Sequence, residues 1–158
     1  MFGKKKANKL IDDIDRYFDL MDQSVLVFKE GVRNYLNSSA ADFNENLARL
    51  TAVEGEAEVL RREIENALYT QTALVRSRGD IMRLFEKTRN IPEILNDSLF
   101  QFEIETPFVP SDLNAEFIKL TEFSALSVEA VIPAAKAYFR APETVPDKIS
   151  RAYFYEKE

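Results

Sequence analysis

Residues 9–37, KLIDDIDRYFDLMDQSVLVFKEGVRNYLN, decide the fold. Ile11, Ile14, Phe18, Met21, Val25, Phe28, Val32 and Tyr35 follow one another in steps of three and four without a break. That spacing keeps one apolar face along an α-helix of about 40 Å, and it is the seam of a helix packed nearly parallel to its neighbours. Asn37-Ser38-Ser39 ends the run, and Ser39 followed by Asp42 has the form of a capping box for a second helix.

The pattern continues outward. A second helix is expected over about 40–74, with Phe43, Leu47, Leu50, Val53, Ala57, Leu60, Ile64 and Leu68 on its stripe. Gly55 lies inside it at a cost of about 1 kcal/mol relative to Ala. Close approach of a neighbouring helix and plain drift are two explanations for it. Arg76 to Asp80 form the next break, with Ser77 and Asp80 again spaced as a capping box. A third helix over about 79–104 carries Ile81, Leu84, Thr88, Ile91, Leu95 and Leu99, and interior Pro92 is expected to kink it. Residues 105–110 (ETPFVP) read as a rigid extended connector.

The fourth helix, about 111–140, is capped by Ser111 and kinked at Pro133. Its stripe is Leu113, Phe117, Leu120, Ser124, Val131 and Tyr138. A fifth over about 147–158 carries Ile149, Tyr153 and Phe154 and stops without a closing turn. No segment alternates at period two between hairpin turns. The expectation is one all-α domain over 1–158, an antiparallel bundle of long helices with the Phe and Tyr residues in its core.

Composition narrows the chemistry. The 158 residues contain no cysteine and no histidine. Disulfides, thiolate metal sites, Ser-His-Asp triads and His-bearing di-iron sites are thereby excluded. A metal would have to be held by oxygen ligands alone. The net charge of −6 argues against general nucleic-acid binding. No run of about 18 apolar residues is present to span a membrane. Lys4, Lys5 and Lys6 form a short basic lead-in, read either as a solvated tail or as a docking segment for an anionic surface.

Two polar stripes carry the candidate chemistry. Glu54 and Glu58 lie one helical turn apart beside the apolar stripe of the second helix. Glu86, Asn90, Glu93 and Asp97 recur at four, three and four residues in the third. Each set reads either as a charged face, Glu58 pairing with Arg61 and Arg62 or with a partner protein, or as ligands for a hard cation or a carboxylate-bridged iron cluster. No nucleophile or general base stands out, so catalysis is not expected.

The stretch Val53-Glu54-Gly55-Glu56-Ala57-Glu58-Val59-Leu60-Arg61-Arg62-Glu63-Ile64 resembles the Glu-x-x-x-Asp segment of PhoU-like proteins, closest to the phosphate transport regulators related to PhoU. Met1 to Lys6 is similar to the opening of that branch, and Arg78 to Leu84 to the start of its third helix. Tyr155-Glu156-Lys157-Glu158 looks like the beginning of the same motif in a second repeat. The resemblance implies two three-helix units side by side, the second incomplete here. It implies carboxylates holding multinuclear metal, often iron, and a non-catalytic regulatory role at the cytosolic face of an inorganic phosphate transporter. That transporter is of the ABC type with its sensor kinase or, for this branch, the Pit type. The sequence departs from the pattern at Glu58, where the family has Asp. It departs again at Arg89 and Asn90, where the family has an acidic pair before the position of Glu93. The alternative expectation is a structural helical adaptor that oligomerises through an incomplete bundle, without metal or catalysis.

Overall fold

The computed structural model describes residues 2–70, 74 and 77–156, and side chains among them from Ala7 to Tyr155. The chain is an all-α bundle. Its helices are α1 (Phe2–Leu36), α2 (Ala40–Thr70), α3 (Arg78–Thr88), α4 (Ile91–Glu105), α5 (Asn114–Arg140) and α6 (Val145–Glu156). Single 3-10 turns at Ser111–Leu113 and Pro142–Thr144 lead into the last two.

α1 is the central helix, and its burial is wider than a two-residue seam. Leu10, Tyr17, Leu20, Ser24, Val27 and Leu36 are buried together with Ile14, Phe18, Met21, Val25 and Val32. The reason is that α2 and α4 pack on one side of α1 and α5 on another. The helix also starts earlier than expected, at Phe2. The backbone of Lys4, Lys5 and Lys6 is therefore helical; their side chains lie outside the described residues.

At its other end α1 closes with Ser38 in the left-handed region, φ 58°. Ser39 N–H donates to Asn34 O at 2.9 Å and Ser38 N–H to Tyr35 O at 3.0 Å, which satisfies two orphan carbonyls of the last turn. The Ser39 hydroxyl bonds the Asp42 carboxylate at 2.5 Å, so the expected capping box is a side-chain pair. Ser77 makes no side-chain cap; Asp80, its expected partner, accepts from the Tyr138 hydroxyl at 3.1 Å. Ser111 begins a 3-10 turn, and neither that turn nor α5 has a side-chain cap.

The third helix is two helices. Pro92 has no N–H to give and its ring crowds the carbonyl four residues back. The chain resolves this with a break at Arg89–Asn90 and a fresh start, which places Pro92 in the first turn of α4, where a missing N–H costs nothing. Helical phase is reset there, so the buried residues are Ile81, Phe85, Thr88, Pro92 and Leu99, not the single stripe that periodicity predicts. Direction is kept. Tyr17 meets Phe85, and Tyr35 meets Phe102. Hence α3 and α4 together run parallel to α1.

Gly31 is the close-approach glycine. A Cβ there would lie 2.7 and 2.9 Å from the Leu99 methyl carbons, whereas a Cβ on Gly55 would meet nothing within 4 Å. Gly31→Ala is therefore expected to lower stability by about 1–2 kcal/mol, because buried Leu99 has little room to yield. Gly55→Ala is expected to raise it by about 1 kcal/mol through helix propensity. Urea unfolding of the two variants checks both signs, and a stabilised Gly31→Ala would refute the close approach.

α5 runs antiparallel to α1, and charge fixes that direction. Asp12, Asp15 and Asp19 on the first half of α1 meet Arg140 and Lys136 on the last half of α5. Lys29 and Arg33 near the end of α1 meet Glu129 at 2.6 Å and Glu122 at 3.1 Å. A parallel α5 would set like charges together.

The α5 core face differs from the expected one. Ala125, Ile132, Ala134, Ala135 and Ala137 are buried, while Leu113, Phe117, Leu120, Val131 and Tyr138 are exposed. Small residues let α5 lie close to α1, and α6 packs chiefly on α5. Many aromatic residues expected in the core are outside it: Tyr69, Phe100, Phe108, Phe123, Tyr153 and Phe154 are exposed as well. The expected continuation of α2 to residue 74 falls partly outside the described residues, as do Lys157 and Glu158.

Candidate functional site

The break between α3 and α4 opens a cleft of about 430 Å³ against α2 and α1. It is lined by Tyr17, Glu54, Ala57, Glu58, Arg61, Arg89, Asn90, Pro92 and Glu93. Ala57 and Pro92 are the buried apolar residues of its lining. Glu54 and Glu58 project from α2, one turn apart, on the edge of that stripe.

Of the six candidate ligands, Glu54, Glu58, Asn90 and Glu93 come together here. Glu86 lies in an adjoining hollow with Arg61, Glu65, Met82, Arg83 and Arg89. Asp97 lines neither. The reset of phase at the break turns Glu86 away from Glu93, which an unbroken helix would have kept on one face.

The cleft is organised by ion pairs. Arg61 Nε and one terminal nitrogen hold both oxygens of Glu58 at 2.8 Å, a bidentate fork, and its other terminal nitrogen bonds Glu65. Arg62 adds a bond to Glu58 at 2.7 Å. These donors hold the Glu58 carboxyl far below its usual range, at about 2, Arg61 contributing most. Arg61 is in turn pushed up by Glu58 and Glu65. Glu54 accepts from Asn96 Nδ2 at 2.6 Å, and Asn96 also meets the Thr51 hydroxyl at 3.1 Å.

Tyr17 forms the inner wall. Its ring is buried against Phe18 and Phe85, and burial pushes the phenol up to about 12. Its hydroxyl has no partner in hydrogen-bonding geometry, and neighbouring Thr88 gives its own proton to Leu84 O at 3.0 Å.

Sequence reasoning missed Tyr17 and Asn96. Tyr17 lies one residue off the α1 seam, and burial on a second face of α1 is the only thing that selects it. Nothing local couples Asn96 to Glu54, 42 residues away.

The donor set as arranged does not fit a multinuclear metal cluster. Among the described residues no three acidic side chains converge on one point. Both oxygens of Glu58 are engaged by guanidinium groups, and Arg61 and Arg89 bring positive charge into the cleft. No helix among the described residues is long and apolar enough to cross a membrane.

Fold and cleft together define an all-α bundle protein with a charged, ion-paired cleft beside the α3–α4 break. The chain is similar to UPF0111 proteins. One from Pyrococcus horikoshii is 28% identical over 127 residues, covering 80% of this chain and 59% of its own length. Another, from Thermotoga maritima, is 26% identical over 160 residues, covering 99% of this chain and 73% of its own. The chain thus spans about three fifths of the first relative's length. No family model matches the chain, and no solved structure does.

Proposed function

We propose that the chain is a non-catalytic regulatory or accessory protein of inorganic phosphate transport, acting by contact with a phosphate permease at the cytosolic face of the membrane. The PhoU-like resemblance of residues 53–64 motivates the reading. The observation that carries it is the cleft, where Glu54 and Glu58 of α2 meet Asn90 and Glu93 beside the α3–α4 break. That is the position at which the resemblance expects a carboxylate site. The up-down-up order of α1, α2 and α3–α4, followed by an α5–α6 hairpin, agrees with one three-helix unit and the start of another.

In this reading the cleft of this chain works as a charged recognition surface. Iron or another divalent cation would have to displace Arg61 and Arg62 from Glu58. Two measurements test the proposal. The tagged chain is expected to recover the cognate permease from solubilised membranes, and recovery of no permease at any phosphate level would defeat it. Metal analysis of the parent beside a Glu54→Ala/Glu58→Ala variant is expected to show no difference. Metal held by the parent and lost in the variant would restore the carboxylate site.

A second reading, a helical adaptor that oligomerises, is favoured by the apolar surface left open on α4, α5 and α6. It needs neither metal nor catalysis, and the association state of the purified chain tests it.

A further inference from the structure

Where α1 turns into α2 and α4 runs into its connector, an apolar hollow of about 560 Å³ opens at the end of the bundle. Tyr35, Phe43, Phe102 and Phe108 supply its rings, and Glu103 is the one charged residue of its lining. The hollow is preformed. Tyr35 meets Phe43 at 5.3 Å and Phe102 at 4.9 Å, edge to face, and its hydroxyl donates to Pro107 O at 2.9 Å, which ties the connector to α1. Phe108 is 90% exposed. On α4, Asp97, Phe100 and Ile104 share one face in steps of three and four, and Glu103 lies beside Phe100 one turn on. Phe100 is 47% exposed and Ile104 66%.

Charge selects what this surface takes. Residues 90–118 hold six of the chain's 27 acidic residues and none of its 21 Lys and Arg, so the whole net charge of −6 resides there. Glu93, Asp97, Glu103, Glu105, Asp112 and Glu116 are all exposed, and none forms an ion pair among the described residues. Glu103 and Glu105 sit in the last turn of α4, which has no basic residue, so they add to the negative end of the helix dipole. A cation brought to this end meets carboxylates that nothing in the chain offsets. Large apolar residues set among those carboxylates make the surface a contact face rather than a solvated one.

We propose that the hollow and the adjoining face of α4 dock a Lys/Arg-rich amphipathic segment of another protein. Its apolar side chains fill the hollow and cover Phe100 and Ile104, and its basic side chains lay their stems along the rings and carry their head groups to Glu103 and Asp97. A second copy presenting the same face would bring like charges together, and an anionic lipid surface would be repelled. The proposal deepens the permease reading by naming the surface and the chemistry it meets, and rests on that reading only for the identity of the partner. Cytosolic loops of membrane proteins carry the excess of Lys and Arg that this surface calls for.

Fluorescence anisotropy with the full chain is the test. The probe is a fluorescein-labelled amphipathic helical peptide of Lys and Leu, about 18 residues long, beside its counterpart with Glu for Lys. The Lys peptide is expected to bind and the Glu peptide not to. Asp97→Lys/Glu103→Lys is expected to weaken binding roughly 10-fold or more, and Phe108→Ala roughly 10-fold, with the helical circular dichroism unchanged because all three positions are exposed. Glu63→Lys/Glu143→Lys, which makes the same change in net charge at exposed residues elsewhere, is expected to leave binding within about 2-fold of the parent. Equal losses in the two charge-reversed variants would mean diffuse attraction and overturn the surface. Binding indifferent to Phe108→Ala would overturn the hollow as the anchor, and no binding of the Lys peptide would overturn the proposal outright. The assay contains no permease, so a parent chain that recovers none from membranes defeats the transport reading and leaves this one to be judged by the peptide.

Discussion

Phe85→Ala is expected to lower the stability of the chain by about 4 kcal/mol, with a fall in Tm of roughly 10 °C. α3 spans only 11 residues and buries three of them, Ile81, Phe85 and Thr88. An isolated helix of that length is marginal in water, so packing holds it. Phe85 supplies most of that packing: it is fully buried, 4.7 Å from the Tyr17 ring and 6.3 Å from Phe18. Its removal leaves a cavity between helices that the rest of the bundle holds apart. The loss should be local before it is global. Amides of α3 are expected to lose hydrogen-exchange protection well before those of α1 and α2. Phe85→Leu, which keeps most of the volume, should cost less than half as much. An Ala variant as stable as the parent would mean that α3 is held by something other than this aromatic cluster.

Arg61→Ala is expected to cost about 2 kcal/mol at neutral pH. Breaking a buried pair typically costs roughly 3–5 kcal/mol, and the figure is reduced here because Glu58 is 41% exposed and solvent screens it. The Arg61 side chain is only 12% exposed and links Glu58 on one side to Glu65 on the other, so its loss leaves two carboxylates short of a partner. Arg61→Met, which keeps the stem, separates packing from charge.

The same network sets a pH dependence. Glu58 is held at about 2 in the folded chain against an ordinary 4.5. A depressed folded pKa contributes stability that is fully present above pH 4.5 and is lost as pH falls from there towards 2. The parent should therefore weaken across that acid window, and Arg61→Ala should show a shallower slope there because Glu58 titrates nearer its ordinary value. Parent and variant with parallel pH profiles would refute the coupling.

Both effects arise where the chain is least regular. The α3–α4 break resets helical phase, brings Asn90 and Glu93 to the cleft, and leaves Glu86 in the neighbouring hollow. Pro92 announces a disturbance in the sequence, and a kink is the reading that periodicity alone supports. Whether the helix bends or restarts depends on how Leu99 packs against Gly31 and how Phe85 packs against Tyr17, and both contacts reach across to α1. Gly55 is the more conspicuous glycine in the sequence, inside a strong stripe. The close approach is nevertheless at Gly31, because only the crossing of α1 and α4 demands it.

The sequence by itself determined that this protein is all-α, that a helix follows the break at Ser38–Ser39, and that its chemistry excludes histidine and cysteine. Those properties are local: periodicity, caps and composition act within a few residues of chain. Tertiary structure alone decided that α1 is central and that α5 turns its small residues inward and its large ones outward. It also decided that Asn96 pairs with Glu54. Each of these depends on which helices become neighbours. The antiparallel match of charge between α1 and α5 and the packing of small residues at their contact select those neighbours, and the energies involved are shared by residues about 100 positions apart.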